Sequence, residues 1–231
     1  MLRKLHQNLL SRIAVRDAGA VISAIVVVVF CSVTTAMAGD GSNGSANTGS
    51  IAISAASLND GNSIAAAGSF TTSMKRFNFQ ADGVAAKYNA NDIWHFGLHA
   101  FWRNPDTALL GVVGSTTDVS ATKTYRYGIE GEYYLNSLTF AATVGRQNGG
   151  ARRSEWAGVD IRWYPFDDLM LAVGGSAISD ERAGRLGFEW QAPFESAASV
   201  SLFGGVSAGK HGYSYVGAGI RIYFGGKRQV T

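Results

Sequence analysis

From Arg76 to Phe224 the chain falls into segments of about ten residues in which apolar and polar side chains alternate, with turn-forming residues between them. Successive side chains of a strand point to opposite sides, so such alternation puts one face of each segment in an apolar medium and the other in a polar one. Ten strands follow, at 76–88, 93–103, 108–116, 124–134, 138–146, 156–164, 169–177, 184–191, 197–206 and 213–224. A sheet this large must cover its apolar face with a second layer or close on itself.

The amino end is of another kind. Arg3, Lys4, Arg12 and Arg16 precede an apolar run from Ala18 to Val33, and Ala36-Met-Ala38 places small residues where a signal peptidase cuts, before Gly39. Residues 1–38 are therefore expected to be a cleaved signal peptide. Phe30 stands before Cys31, where a lipobox needs a small residue, so lipidation is not expected; cleavage also removes the chain's one cysteine, and with it any disulfide or thiol chemistry. The segment carries four of the 20 basic residues and one of the 17 acidic ones, so its loss leaves the two signs equal. Balanced charge gives no electrostatic reason for a nucleic-acid partner.

Residues 39–75 are rich in Gly, Ser, Asn and Ala and hold few charges, which predicts a flexible lead-in. Ser50–Ala56 and Ser63–Phe70 offer the alternative of two further strands or a segment folded inside. Connections between the ten strands alternate in character. Asn104–Thr107, Leu135–Ser137, Pro165–Asp168 and Ala192–Ser196 are tight and contain all three prolines; Thr117–Lys123, Gln147–Glu155, Ile178–Ala183 and Ser207–Gly212 are looser. Asn89–Asp92 is short where this alternation needs a long loop. Short periplasmic turns, longer external loops and an even strand number are features of transmembrane barrels.

Aromatic residues sharpen the expectation. Trp94 and Trp102 share a strand face, and eight residues at ~3.3 Å each, tilted by ~40°, span ~20 Å of membrane normal, close to the ~25 Å band between aromatic girdles. Trp102, Tyr133, Trp163, Trp190 and Phe224 each close a downward strand on the parity of its apolar positions. A soluble sandwich would have to bury this face on another sheet and leaves the regular placing unexplained. The last strand, Val216-Gly-Ala-Gly-Ile-Arg-Ile-Tyr-Phe224, resembles the terminal assembly signal of bacterial outer-membrane barrels through Gly219, Ile222 and Phe224. It departs from it in Gly217 and in the tail Gly225–Thr231. The wider resemblance, over about 76–225, is to small porin-like proteins. It implies insertion by the barrel assembly machinery and contact with outer-membrane lipid and lipopolysaccharide. The expected fold is thus all-β, a closed antiparallel transmembrane barrel of about ten strands, with eight or twelve as alternatives, in the bacterial outer membrane.

The opposite faces are polar. Near the periplasmic end they place Arg103, Glu132, Arg162, Glu189 and Arg221 with alternating sign, joined by His95, His99, Arg126, Glu130, Asp160 and Arg185. Enclosed charges are costly unless paired, so these side chains either form a stiffening ionic lattice or a charged constriction for small solutes. External loops 147–155 and 178–183, with Arg146, Arg152, Arg153 and Arg182, offer a second function in surface contact. Motifs for catalysis, metals and cofactors do not convince. Gly204 to Lys210 has phosphate-loop spacing, but His211 replaces Ser or Thr and no helix follows. His95 and His99 lie ~13 Å apart on a strand and cannot share one metal. His95, His211, Asp118 and Asp180 show no spacing of a catalytic triad or carboxylate pair. No enzyme is expected.

Overall fold

The computed structural model describes residues 47–59, 61–120, 122–149, 153–193 and 198–225. They form twelve antiparallel strands in chain order: β1 (Asn47–Leu58), β2 (Gly61–Met74), β3 (Phe77–Tyr88), β4 (Asn91–Asn104), β5 (Ala108–Val119), β6 (Thr122–Leu135), β7 (Leu138–Gly149), β8 (Ser154–Phe166), β9 (Leu169–Ile178), β10 (Glu181–Gln191), β11 (Ser199–Gly209) and β12 (Ser214–Phe224). Each strand pairs with its sequence neighbours, and β1 pairs with β12 from Gly49↔Phe224 to Leu58↔Tyr215, which closes the sheet into a barrel. Closure leaves no unpaired edge.

All ten strands expected from alternation are present, as β3 to β12, but the count is twelve rather than ten. The difference lies within 39–75, where the alternative of two further strands holds in place of the lead-in, as β1 and β2, giving the twelve also offered as an alternative. Ala, Ser and Gly occur on both of their faces, so polarity alternates too weakly to announce a strand, while pairing with each other and with β3 and β12 gives their backbones ladder partners on both sides. The proposed signal peptide 1–38 lies outside the described residues, as does the tail beyond Gly225.

The loop expectation is also corrected. Strands run well into the stretches expected as long external loops: β5 and β6 leave only residues 120 and 121 between them, and β9 and β10 leave only Ser179 and Asp180. Asn59, Lys75, Asn89, Ser120, Asn136 and Ser179 each open a two-residue turn with φ between 49° and 60°. Hairpin turns that match the twist of their strands require positive φ at this place. Asn suits it, whereas Ser120, Ser179 and Lys75 carry no such signal in sequence. The short Asn89 turn is thus the rule at its end rather than the exception.

Both described chain ends lie at one end of the barrel, the terminal end; the opposite is the far end. Pairing rows run obliquely to the axis. One begins with Leu58 at the far end of β1 and passes Tyr215, Ser207, Arg185, Gly174, Asp160, Ala141 and Glu132 to Arg103 near the terminal end of β4. This tilt, which any closed barrel needs, carries side chains of distant strands to one height.

The faces divide cleanly. Ile53, Trp94 and Leu110 point outward at 64% exposure each, with Ile64, Phe96, Tyr127, Val159, Leu186 and many others beside them. A continuous apolar belt of this kind is untenable in water and is favourable in hydrocarbon, each outward aliphatic side chain gaining about 1.5–3 kcal/mol on leaving water. Trp102, Tyr133, Trp163, Trp190 and Phe224 all lie on this outer face toward the terminal end. Trp94 and Tyr125 lie on it toward the far end.

Candidate functional site in the lumen

Charged side chains reach the lumen chiefly from the strands that run toward the terminal end, β4, β6, β8, β10 and β12. Between them β5, β7 and β9 present mostly small groups and β11 presents Ser201 and Phe203, and each long side chain crosses one intervening strand to its partner. His99 on β4 reaches over Gly111 of β5, its Nδ1 2.9 Å from Glu130 Oε1. Arg162 on β8 reaches over β7 and donates through Nη1 to Glu132 Oε1 at 3.0 Å. Arg185 on β10 grips Asp160 on β8 with two parallel bonds, one of them from Nε to Oδ1 at 2.8 Å. Arg221 on β12 donates through Nη1 to Glu189 Oε2 on β10 at 2.8 Å.

Gly111 and Gly174 make two of these crossings possible. A Cβ on Gly111 would stand 2.5 Å from that of Phe101 and 3.1 Å from Glu130 Oε1, and one on Gly174 would collide with the Asp160 carboxylate. Aromatic hydroxyls complete the lattice. Tyr223 donates to Glu189 Oε1 at 2.6 Å, Tyr134 donates to Glu132 Oε2 at 2.9 Å, and Arg103 lies over the Tyr134 ring at 5.3 Å. Arg221 also stacks on Phe203, 4.7 Å from the ring centroid. Charge-assisted bonds that satisfy both partners are what offset the desolvation of such groups.

The five residues expected as a luminal charge ring, Arg103, Glu132, Arg162, Glu189 and Arg221, all face inward, and four of them join in two bridges. Glu132 meets Arg162, and Glu189 meets Arg221; between these pairs stands the bridge of Asp160 and Arg185. The lattice extends beyond the residues expected from sequence. Gln80 and Asp82 on β3 join it: Thr71 donates to Gln80 Oε1 at 3.1 Å, Gln80 Nε2 donates to Asp82 Oδ1 at 2.9 Å, and Asp82 Oδ2 stands 3.0 Å from His99 Nε2. His99 therefore lies between two carboxylates. Parity on the segment 76–88 already put Gln80 and Asp82 on one face; the β3–β4 register, with Gln80 opposite His99 and Asp82 opposite Gly97, brings them to His99.

Toward the far end the lumen is less ionic. His95 Nδ1 lies 2.8 Å from Thr117 Oγ1, and Arg126 Nε donates to Gln147 Oε1 at 2.7 Å. Under the far rim, Ile93 packs with Val119, and Leu58 packs with Tyr213, joined by Tyr88 and Ala86. A small cavity of about 30 Å3 lies lower down, between Gln80, His99, Phe101, Leu109, Glu130 and Arg162.

Residues weighed for catalysis are held apart in separate pairings: His95 with Thr117, His211 with Glu181 at 3.0 Å on the far rim, and Asp118 with Lys123 at 3.9 Å on the outer face. Both ring nitrogens of His99 already face carboxylates. Gly204 to Gly209 runs along β11 and Lys210 opens a single 3-10 turn, so the stretch with phosphate-loop spacing leads from strand to strand. Among the loop arginines, Arg146 sits on β7 beside Glu155 at 3.7 Å, Arg182 lies on β10, Arg153 is exposed at the far rim, and Arg152 is outside the described residues.

A closed barrel with an apolar exterior and an ionic interior defines a membrane-spanning protein of the porin-like class. No family model matches the chain. Among solved structures it is similar to the KdgM porin, with 10% identity, a TM-score of 0.62 and coverage of 74% of this chain and 97% of that one. It is similar also to the translocator domain of the autotransporter NalP from Neisseria meningitidis, at 9% identity and TM-score 0.56 over 90% and 97% of the two chains. An outer membrane channel from Pseudomonas putida F1 gives 11% identity and TM-score 0.55 over 78% and 95%. These likenesses show the fold: that of small bacterial outer-membrane porins and channels. Curated sequences that match are ubiquinone/menaquinone biosynthesis C-methyltransferases UbiE, the one from Idiomarina loihiensis being 30% identical over 118 residues, 42% of this chain and 47% of the relative. The chain spans about half the length of the curated relatives it matches.

Proposed function

We propose that this protein resides in the outer membrane of a Gram-negative bacterium and serves as a narrow channel for ions and small hydrophilic solutes, with the luminal lattice fixing its bore. The observation that carries this is an inward face that is polar and charged through most of the barrel's height, while most described turns are too short to fold inward as a plug. Twelve strands lie between the eight whose interior side chains fill and the sixteen that leave a wide aqueous channel, so small solutes fit and large ones do not. Insertion by the barrel assembly machinery, with contact to lipid and lipopolysaccharide outside, follows from the same class. Catalysis has no part in the proposal.

A second function is favoured by one feature: Arg221 is only 1% exposed and Glu189 only 2%, the condition of a lattice that fills and stiffens. Single-channel recording of refolded protein in planar bilayers separates the two. Small, regular conductance steps are expected, enlarged in Arg162→Ala, where a bridging side chain is gone. Absence of steps in both the native chain and that variant would overturn the channel and leave the scaffold. Surface contact through external loops has less chain to act with, since most of 147–155 and all but two residues of 178–183 belong to strands, and it rests chiefly on the connection between β7 and β8, where Arg153 is exposed.

A further inference from the structure

We infer that Arg126 is a binding site for small oxyanions, carboxylates or phosphates, in the far half of the lumen; the inference rests on the channel function proposed above and names what that channel recognises. Arg162, Arg185 and Arg221 are each held by a carboxylate, and Arg103 lies against Tyr134. Arg126 differs from them. Among the described residues its hydrogen-bonding partner is the Gln147 amide oxygen, which accepts from Nε, and no carboxylate stands within ion-pair reach.

A neutral amide oxygen orients the guanidinium without neutralising it. With Nε engaged toward β7, the two terminal nitrogens form the free edge of the fork, and neither is among the orphaned donors sealed from solvent. They face the lumen with their hydrogens available. The surroundings are uncharged in every direction along the wall: Ser115 and Gln147 flank Arg126 directly, with Gly97 and Ser154 one strand further on. The first acid along the row is Asp82, three strands away at ~14 Å, and along β6 it is Glu130, four residues away at ~13 Å. Both already face His99.

A half-buried cation without a counter-charge is costly, and an anion drawn from the lumen removes that cost. Two parallel N–H groups match the two oxygens of a carboxylate or phosphate, whereas chloride uses the geometry less well. Five luminal carboxylates hold His99, Arg162, Arg185 and Arg221 further down, so among the described residues binding at Arg126 is single-site and permits release, as conduction requires.

The test is bilayer recording in a potassium chloride gradient, with acetate or inorganic phosphate then added to one side. Native protein is expected to favour anions and to show current reduced by phosphate in a saturable way. Arg126→Gln is expected to lower the anion-to-cation permeability ratio about threefold and to weaken the phosphate effect about tenfold or more. Arg126→Lys should keep most of the selectivity and lose phosphate affinity, because charge remains without the fork. Arg182→Gln, on the outer face, should change neither. If the native protein conducts and Arg126→Gln keeps the phosphate effect, the inference is overturned while the channel stands. If nothing conducts, the channel fails, and calorimetric titration of phosphate into detergent-refolded native and Arg126→Gln barrels decides the site. Heat lost in the variant supports it; equal or absent heats overturn it. Heat-modifiable migration on gels confirms that each variant has closed.

Discussion

Near the terminal end Arg221, Glu189 and Tyr223 close on one another with exposures of 1–2%, whereas under the far rim Leu58, Ile93, Val119 and Tyr213 meet as apolar clusters at 3–7%. Both regions are packed, but by different forces. Ion pairs in a low-dielectric lumen are directional and costly to break from one side, while apolar contacts are non-directional and lose free energy in proportion to the surface uncovered. The terminal half therefore fixes where side chains stand, and the far mouth supplies cohesion that tolerates adjustment.

The sharpest way to break this comparison is Glu189→Ala. Removing one partner strands the buried Arg221, and stability to urea in detergent micelles is expected to fall by about 3–5 kcal/mol. Replacing both, as Glu189→Leu with Arg221→Met, should restore most of the loss; a double variant no better than the single one would show that the pair is not the cause. At the mouth, Leu58→Ala should cost about 2–3 kcal/mol through the cavity it leaves and raise single-channel conductance. Unchanged conductance would place the narrowing elsewhere. Gly174→Val should cost about 1–3 kcal/mol by driving apart Asp160 and Arg185. Gly68→Val serves as its control, since a Cβ there meets nothing closer than the Ser50 carbonyl oxygen at 3.6 Å. The smallest effect concerns the turns: Lys75→Asn should stabilise by about 0.5 kcal/mol, because Asn adopts positive φ with less strain.

Ten of the strands were legible because their two faces differ strongly in polarity, as in β4, where Trp94, Phe96 and Leu98 alternate with His95, Gly97 and His99. β1 and β2 were legible only as the alternative at Ser50–Ala56 and Ser63–Phe70, since Ala65 faces the lumen and Ala66 the lipid, and little in the letters separates them. The inward placing of Arg103, Glu132, Arg162, Glu189 and Arg221 followed from parity alone. Who meets whom did not, because partners are chosen by the slant of the pairing rows, and that slant is a property of the closed wall. Asp82 is a different case: the register of the β3–β4 hairpin, which puts Gln80 opposite His99 and Asp82 opposite Gly97, sets it beside His99, and that register follows from the length of the Asn89 turn. Turn lengths were misjudged where Ser120 and Ser179 take positive φ without glycine or asparagine to signal it.

The two-residue turns have a consequence for how the cell surface is met. A wall that reverses direction as soon as it leaves the hydrocarbon raises almost nothing above the headgroups at those hairpins. With the far end at the cell surface, as the proposed placement would have it, antibodies, phage tail fibres and proteases, which all grip protruding chain, would find little purchase there. Its neighbours in the membrane, rather than its own silhouette, then decide what approaches it.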